Sequence, residues 1–470
     1  MKTVRINFFP WNSLRIHDQP ILAFRLSEKA EYVVNVALVP QSITLKHIHN
    51  QPRYSHLQQS FLNESLHDLK ANLLKNGSNL LLVKNLPQFI KMLAQKYKIV
   101  AIVTQRQYTS EEIAIVAQCT NANTPIHLVD GLTMVIPDRI KPVPSNFTQF
   151  RKQVESYSSR SYFRASVCMP NILGELGRFP PLEDGIVDLE LQSQIDPKVR
   201  SIHPDSAFPF FGGESAALER LEDYTFRSKH VATYKETRNG LIGSEYSTKL
   251  SPYLAFGCVS PVRVMQRVRE FEKTVVKNES TYWVFFELLW RDYFILMARD
   301  FGIKLFQRSG FKDVHLKWVN DAGKFAKWCS GNTGVPFVDA NMRELLATGF
   351  MSNRGRQNVA SFLTKDLCID WILGAEHFES LLLDYDPASN YGNWQYQAGV
   401  GTDPRESRYF NVVKQGRDYD PDGEYILKWC PELKRVPRNK IFAPWTVSPM
   451  LTSEYPRPIV VSPQWKKHCK

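Results

Sequence analysis

Short runs of β-branched residues alternate with helical periods through the first 130 positions. The apolar stretches at 32–39, 79–83 and 99–103 read as buried strands, and 54–75 and 86–96 carry helical spacing between them. This alternation predicts βαβ units on a parallel, Rossmann-like sheet, an α/β domain over residues 1–130. From 131 to 205 the pattern breaks up around Pro137, Pro142, Pro144, Pro170, Pro180 and Pro181. One helix is expected near 149–158, and the segment reads as an inter-domain connection. Beyond 206 long helical periods take over, at 215–226, 261–274, 281–300, 341–348, 354–367 and 375–382, and predict a mostly helical second domain over 206–433. The last segment, 434–470, holds eight Lys or Arg against the single acid Glu454, with several prolines, and is expected to be a mobile basic arm.

Composition narrows this picture. A chain of 470 residues suits two or three domains, and 43% hydrophobic with 23% charged residues is enough for a sizeable core. The net charge of +12 and a pI near 9.2 favour a polyanionic partner, nucleic acid first. Seven scattered cysteines, never at CxxC spacing, suggest neither a disulfide framework nor a zinc site, and fit a reducing compartment. With no leader-like opening and no 18-residue apolar window, the chain is expected to be soluble, cytoplasmic and monomeric, with no membrane partner. No GxGxxG follows the first strand and no P-loop occurs. The stretch from Gly213 to Ala217 lacks the second glycine of a nucleophile elbow. Asp384 and Asp386 do not open a calcium loop, because Ala388, Ser389 and Gln395 stand where its ligands and glycine belong, and no metal is expected.

Four stretches could carry chemistry. In the buried helix WVFFELLWRD, Glu287 and Arg291 are four apart and share a face with Trp283 and Trp290. This is either a helical salt bridge among core tryptophans or a pocket wall where a flat ligand stacks on Trp290 and bonds to Glu287. Asn353, Arg356 and Gln357 share one face at a helix N-terminus, either a capped, solvated start or an anion-favouring site. The stretch DYDPASNYGNW from Asp384 to Trp394 is dense in turn formers, and Asp384 is the candidate partner for a buried Arg356. Ser247, Thr248, Lys249 and Ser251 precede a helix and suit a diphosphate or a plain cap. Nine of the ten tryptophans lie from Trp283 onward, which draws the chemistry toward the helical half.

Taken together, PFFGGESAALERLEDYTF, STKLSPYLAFGCVSP, FELLWRDYF, MSNRGRQNVASFLTKDLCIDWILGAEHFESLLLDYDPASNYGNWQYQAGVGTDPRE and YFNVVKQGRDYDPDGEYI closely resemble the photolyase and cryptochrome superfamily. Within it the match is to the cryptochrome-DASH branch, continuous over about 206–433 and weaker through the first domain.

The resemblance implies that the helical domain binds FAD and that DNA reaches it through a basic surface. By position, Tyr234, Ser247, Thr248, Lys249, Leu250 and Ser251 would hold the diphosphate and ribityl parts. Asn353, Arg356, Asp384, Asp386 and Asn390 would border the isoalloxazine, with Asn390 opposite N5 and Arg356 paired to Asp384. Glu287, Trp290, Asn353, Gln357 and Tyr396 would line the lesion pocket. Trp394, Trp371 and Trp318 match the three-tryptophan chain that reduces the flavin. The implied activity is blue-light-driven repair of cyclobutane pyrimidine dimers, mainly in single-stranded DNA; the alternative is a photoreceptor that binds nucleic acid without lesion turnover. The first domain departs from the family: FPWNSLR is a degenerate opening motif, and Gln107 stands where a folate-binding glutamate is common. This departure predicts weak retention of the methenyltetrahydrofolate antenna.

Overall fold

The computed structural model describes residues 1–27, 30–38, 47–48, 51–119, 124–156, 162–166, 179–180, 201–405 and 408–469. Cys168, Val39, most of the expected connector from 167 to 200 and the end of its expected helix lie outside the described residues. The chain forms two compact units that interleave in sequence. Unit 1 comprises Met1–Ser201, Phe210–Ala232 and Thr248–Ile303; unit 2 comprises Ile202–Pro209, Thr233–Ser247 and Lys304–Lys470.

Unit 1 is built on five parallel strands, β1 (Thr3–Phe9), β2 (Tyr32–Leu38), β3 (Leu80–Val83), β4 (Lys98–Gln105) and β5 (Ile126–Val129), in the order β3-β2-β1-β4-β5. This is the doubly wound arrangement that the alternating pattern predicts. Helices α1 (His56–Lys75), α2 (Leu86–Lys96) and α3 (Ser110–Ala117) connect the strands. Each of the first two starts where its sequence says it should: Ser55 and Gln58 form a capping box, and Asn85 caps Gln88 N ahead of Pro87. Val4, Ile6, Phe8, Val34, Val36 and Leu81 are buried together with Phe89, Ile90 and Leu93 of α2, and form the core of the sheet. Burial of such side chains contributes about 1.5–3 kcal/mol each. Inside the sheet, Asn7 Nδ2 donates to Asn35 Oδ1 at 2.9 Å and Asn35 Nδ2 to Ser78 Oγ at 2.9 Å, so the buried amides are paired.

Unit 1 also holds α4 (Phe147–Val154), α5 (Glu214–Glu222), α6 (Pro261–Thr274) and α7 (Glu279–Phe301). Helix α7, about 35 Å long at 1.5 Å per residue, starts at an Asn278/Thr281 capping box. Its polar side chains tie down irregular chain. Asp292 Oδ2 accepts from Met134 N at 2.8 Å and Val135 N at 2.9 Å, and Asp300 from Val143 N at 2.7 Å. Arg299 donates to Pro137 O at 2.5 Å and Ile140 O at 2.6 Å. The connector thereby loses water without losing hydrogen bonds.

Unit 2 is helical: α8 (Ala322–Cys329), α9 (Pro336–Thr348), α10 (Asn353–Ser361), α11 (Trp371–Leu381), α12 (Pro387–Ala398), α13 (Val412–Tyr419) and α14 (Glu424–Trp429). Two predicted helices continue past their α-helical parts into wide π-turns, Asp223–Arg227 after α5 and Phe362–Asp366 after α10. Two expectations need correction. The stretch from Asp384 is more than a turn, because Asp386 caps Ser389 N and Pro387 opens α12. The segment 434–470 packs against the helices instead of hanging free as a mobile arm. Trp465 is fully buried with its Nε1 donating to Tyr409 Oη at 2.8 Å, and the buried Tyr455 donates to Asp339 at 2.5 Å. Aromatic anchors spaced along a basic segment override its charge, since each buries a large apolar area. Among the described residues no helix is long and apolar enough to cross a membrane, and no His, Cys, Asp and Glu cluster suits a metal.

Complete burial pushes the Asp292 carboxyl up to about 7, opposed by the Val135 and Met134 amides and by Arg291. Between its ordinary value of 3.8 and about 7 the folded protein holds a proton that the unfolded chain releases. This favourable contribution is complete below about pH 4 and is lost as the pH rises through 7. Asp292→Asn keeps an acceptor for both amides but does not titrate. Wild-type stability is therefore expected to fall on the order of 2–3 kcal/mol more than that of Asp292→Asn between pH 5 and 8.5. Parallel denaturation curves for the two proteins over that range would contradict this.

Candidate functional site

Helices α10, α11 and α12 bring the central candidates of unit 2 together. Ser352 caps Gly355 N and starts α10, which carries the exposed Asn353 and the half-buried Arg356 and Gln357. Arg356 Nη2 donates to Asp384 Oδ2 at 2.8 Å, the pairing named from sequence, and its Nε donates to Met351 O at 2.9 Å. The Asp384 side chain is only 3% exposed and that of Arg356 27%, so removing Arg356 would strand a buried carboxylate at a cost of about 3–5 kcal/mol. Its Oδ1 is buried and accepts no hydrogen bond. Asp386 is engaged as the cap of α12, with Ser389 N at 2.7 Å. Gln357 Oε1 accepts from Arg354 Nη1 at 2.9 Å, and Arg354 also reaches Asn239 Oδ1 at 2.9 Å. Arg354 was not singled out from sequence, yet it sets the orientation of Gln357.

The α11–α12 pair is welded tightly. A Cβ on Gly374 would lie 2.3 Å from Trp394 Cη2, so only glycine allows the indole to lie against α11. Asn390 Nδ2 donates to Ala375 O at 2.9 Å, which fixes the amide and leaves Oδ1 without a hydrogen bond. Tyr391 Oη donates to the buried Glu379 at 2.8 Å. The Tyr396 hydroxyl accepts from Arg408 Nη2 at 3.2 Å, and Arg408 Nε is held by the buried Asp403 at 2.5 Å.

Of the three candidate tryptophans, Trp394 and Trp371 are buried and Trp318 is half-exposed. Trp371 Nε1 donates to Arg308 O at 3.1 Å and its ring meets Tyr391 edge-on at 6.2 Å. A lone parallel bridge between Val319 and Ile369 draws the chain at Trp318 alongside the lead into Trp371. The ring neighbours of Trp394 are Phe378 at 5.1 Å and Trp328 at 6.2 Å. Trp328 was not singled out from sequence, where nothing separates it from other core tryptophans. Tyr234 is buried and Ser247 half-buried in this unit.

In unit 1, Thr248 O accepts from Arg220 Nε at 3.1 Å, Lys249 is 2% exposed at φ +58°, Leu250 is buried, and the exposed Ser251 opens a short helix, Ser251–Ala255. The turn is fixed by backbone geometry that side chains rarely adopt. Glu287 and Trp290 are both half-buried on α7. The expected Glu287–Arg291 bridge does not form, because Arg291 donates to Leu132 O at 2.5 Å and Leu254 O at 3.3 Å. One face of Trp290 is covered by Phe147, stacked at 3.7 Å and 10°.

The crevice beyond the carboxyl ends of β1 and β4 is the switch point of the sheet, where doubly wound folds take ligands. Here side-chain amides bond to one another. Gln107 Oε1 accepts from Asn12 Nδ2 at 2.8 Å, and Gln107 Nε2 donates to Asn12 Oδ1 at 3.1 Å and Gln105 O at 3.2 Å. Gln105 Nε2 in turn reaches Asn12 O at 3.2 Å.

The donor set of unit 2 suits a flavin. The unmatched buried Asp384 Oδ1 offers an acceptor, Arg356 offers a cation, and Asn390 Oδ1 offers a second, rigidly held acceptor. The comparisons with known proteins agree. Residues 283–470 match the FAD binding domain of DNA photolyase, and 9–169 match the DNA photolyase family. The chain is 43% identical to cryptochrome DASH of Xenopus laevis, over 97% of this chain and 90% of that protein. A solved cryptochrome from Synechocystis superposes with a TM-score of 0.88 at 37% identity, covering 100% of this chain and 98% of its own. A bacterial class III photolyase from Agrobacterium tumefaciens does so at 0.81 and 26% identity, covering 100% and 97%.

The Gly374 contact has a direct test. Gly374→Ala should push α11 off the Trp394 ring and destabilise the protein by about 1–3 kcal/mol. Gly323→Ala on α8, whose nearest atom is Asp321 Oδ1 at 3.5 Å, should be neutral or stabilising by up to about 1 kcal/mol. Denaturant titration of both variants checks the contrast, and equal effects would remove the close approach as its cause.

Proposed function

Because the chain belongs to the photolyase and cryptochrome superfamily, in its cryptochrome-DASH branch, it is a flavoprotein of a family that acts on DNA, and we propose that it splits cyclobutane pyrimidine dimers under blue light, mainly in single strands. The observation that carries this reading is the half-spent donor set of unit 2, the Arg356–Asp384 pair and the pinned Asn390 amide. FAD, when bound and reduced, supplies the light-driven electron that opens the dimer.

The chain's own residues do the rest. Arg356 would offset negative charge on a bound flavin, and Asp384, held by Arg356, would offer it the acceptor Oδ1. Asn390 would hold the flavin through Oδ1, and it could do so without reorganising because Ala375 O already fixes the amide. Tyr234, Ser247, Thr248, Lys249, Leu250 and Ser251 take the ribityl and diphosphate parts, and Asp386 borders the ring as it caps α12. Trp394, Trp371 and Trp318 relay electrons from the surface. Glu287, Asn353, Gln357 and Tyr396 receive the flipped lesion, with Trp290 as a wall. A single strand gives up less stacking than a duplex when its lesion is extruded, which favours single-stranded substrate.

One observation favours photoreception instead: Phe147 already covers one face of Trp290, which narrows the stacking surface for a lesion. Dimer repair on single-stranded and duplex oligonucleotides under blue light separates the two readings. Repair is expected, faster on single strands, whereas flavin photoreduction without repair would support photoreception. Glu287→Gln is expected to keep FAD bound and lower repair yield, by about tenfold or more if a charge-assisted bond to the pyrimidine is lost. Full repair by that variant would take Glu287 out of the mechanism.

The methenyltetrahydrofolate antenna that the family implies does not fit. A carboxylate would accept two charge-assisted bonds from an amino-pyrimidine edge, but the Gln107 amide is already spent on Asn12 and Gln105. Losing such a bond costs about 1.5–3 kcal/mol, or about 10- to 150-fold in affinity. Purified protein is expected to carry FAD with sub-stoichiometric folate, and Gln107→Glu to bind folate more tightly. Extraction and chromatography count both chromophores, and one folate per FAD in the unmodified protein would contradict this.

A further inference from the structure

The basic C-terminal segment plays no part in the chemistry above, yet it is held in a defined place. Trp465 anchors it: the indole stacks on Phe362 at 6.1 Å and bonds to Tyr409 at 2.8 Å. On either side of that anchor, Asn411 Nδ2 donates to Gln464 O at 2.9 Å and Arg417 Nε donates to His468 O at 3.0 Å. These bonds dock the turn Pro463–His468 against α13. Lys467 thereby gathers with Lys414 and Arg417 around His468, and Lys466, exposed like Lys467, adjoins it in the turn. The gathering of charge registers on His468, whose imidazole is held below its ordinary value first by desolvation and then by Lys467, Lys414 and Arg417, against Asp418 alone on the other side. The half-buried Trp445 ring lies 6.0 Å from Trp465, so an aromatic face adjoins the cations.

The surface is continuous with the helix that carries Asn353 and Gln357. Arg354, which holds Gln357, lies over the Tyr419 ring of α13 at 4.5 Å, and Asn358 Nδ2 of α10 donates to Gln415 Oε1 of α13 at 3.4 Å. Cations and an aromatic ring along a path leading from a base-holding helix are what a sugar–phosphate backbone requires. We propose that Lys466 and Lys467, with Lys414 and Arg417 of α13, form a second contact that grips the backbone of single-stranded nucleic acid flanking the nucleotide held at α10. This rests on the reading of the chain as one that acts on DNA. The contact raises affinity without regard to sequence or damage, because it reads charge alone.

Salt dependence is the readout specific to such a contact, since each phosphate neutralised on a single strand contributes about 0.7 to the slope of log affinity against log salt. The FAD-loaded full chain would be titrated with undamaged oligothymidylate by fluorescence anisotropy at several salt concentrations. Lys466→Ala/Lys467→Ala is expected to bind several-fold more weakly at low salt with a slope smaller by about 1.4. Its flavin spectrum and repair rate at saturating dimer substrate should be unchanged. Lys324→Ala/Lys327→Ala, the same charge change on α8, should keep the wild-type slope. An unchanged slope in the first variant, or an equal drop in both, overturns the proposal while leaving wild-type repair intact. A wild-type protein that binds no DNA overturns this proposal and the functional reading together. Loss of binding to phosphatidylserine vesicles with oligothymidylate binding preserved would assign the surface to membranes and overturn it as well.

Discussion

Irregular backbone can leave water only if something answers its N–H and C=O groups, and in this protein charged and amide side chains on helices do so repeatedly. Asp292, Asp300 and Arg299 of α7 hold the connector. Glu214 of α5 receives Ile16 N at 2.7 Å and His17 N at 2.8 Å. Asp339 of α9 receives Thr333 N and Gly334 N, and Asp420 receives Tyr425 N and Ile426 N. Gln395 of α12 accepts from Phe311 N at 2.9 Å while donating to Lys304 O and Leu305 O. Truncating any of these strands one to three backbone groups at about 1–3 kcal/mol each, a loss of the order that deleting a buried apolar side chain causes.

The same device governs the site. Arg356, Asp384 and Asn390 each spend part of their hydrogen-bonding capacity inside the protein and keep one polar atom for a ligand. A group already fixed by one partner loses little entropy when it takes a second, which is how a scaffold prepares a cofactor pocket in advance. At the switch point of the sheet Asn12, Gln105 and Gln107 spend most of their capacity on one another, while the buried Gln105 Oε1 is left without a hydrogen bond.

Periodicity was a good guide where elements are long. Strands β2, β3 and β4 and helices α1, α2, α6 and α7 follow their apolar spacing, and the caps at Ser55, Asn85, Ser260 and Asn278 are legible as residues. Helix α12 was hidden because Ser389, Asn390, Gly392 and Asn393 are turn formers by propensity, and tertiary packing against α11 overrides them. The Asp386-Pro387 pair, a cap followed by a first-turn proline, was the available signal. Charge made Asp384 a candidate partner for Arg356, the family resemblance implied the pairing, and the structure forms it. The loss of a Glu287–Arg291 bridge could not, because the carbonyls that capture Arg291 come from positions 132 and 254 and only folding brings them near. In the tail, charge density outweighed two buried aromatic anchors, Tyr455 and Trp465, in the sequence pattern, although those anchors decide its conformation.

The interleaving of the two units bears on how the chain is made. The sheet of unit 1 is complete by Val129, but the partners of its connector sit on α7, which ends at Phe301. At about 5–20 residues per second, a ribosome needs roughly ten seconds or more to add those residues. For that interval the nascent sheet domain carries a strap whose amides are answered only by solvent. Unit 1 therefore cannot finish folding as a simple N-terminal product, and chaperone engagement should concentrate on chains stalled between the end of the sheet and the emergence of α7.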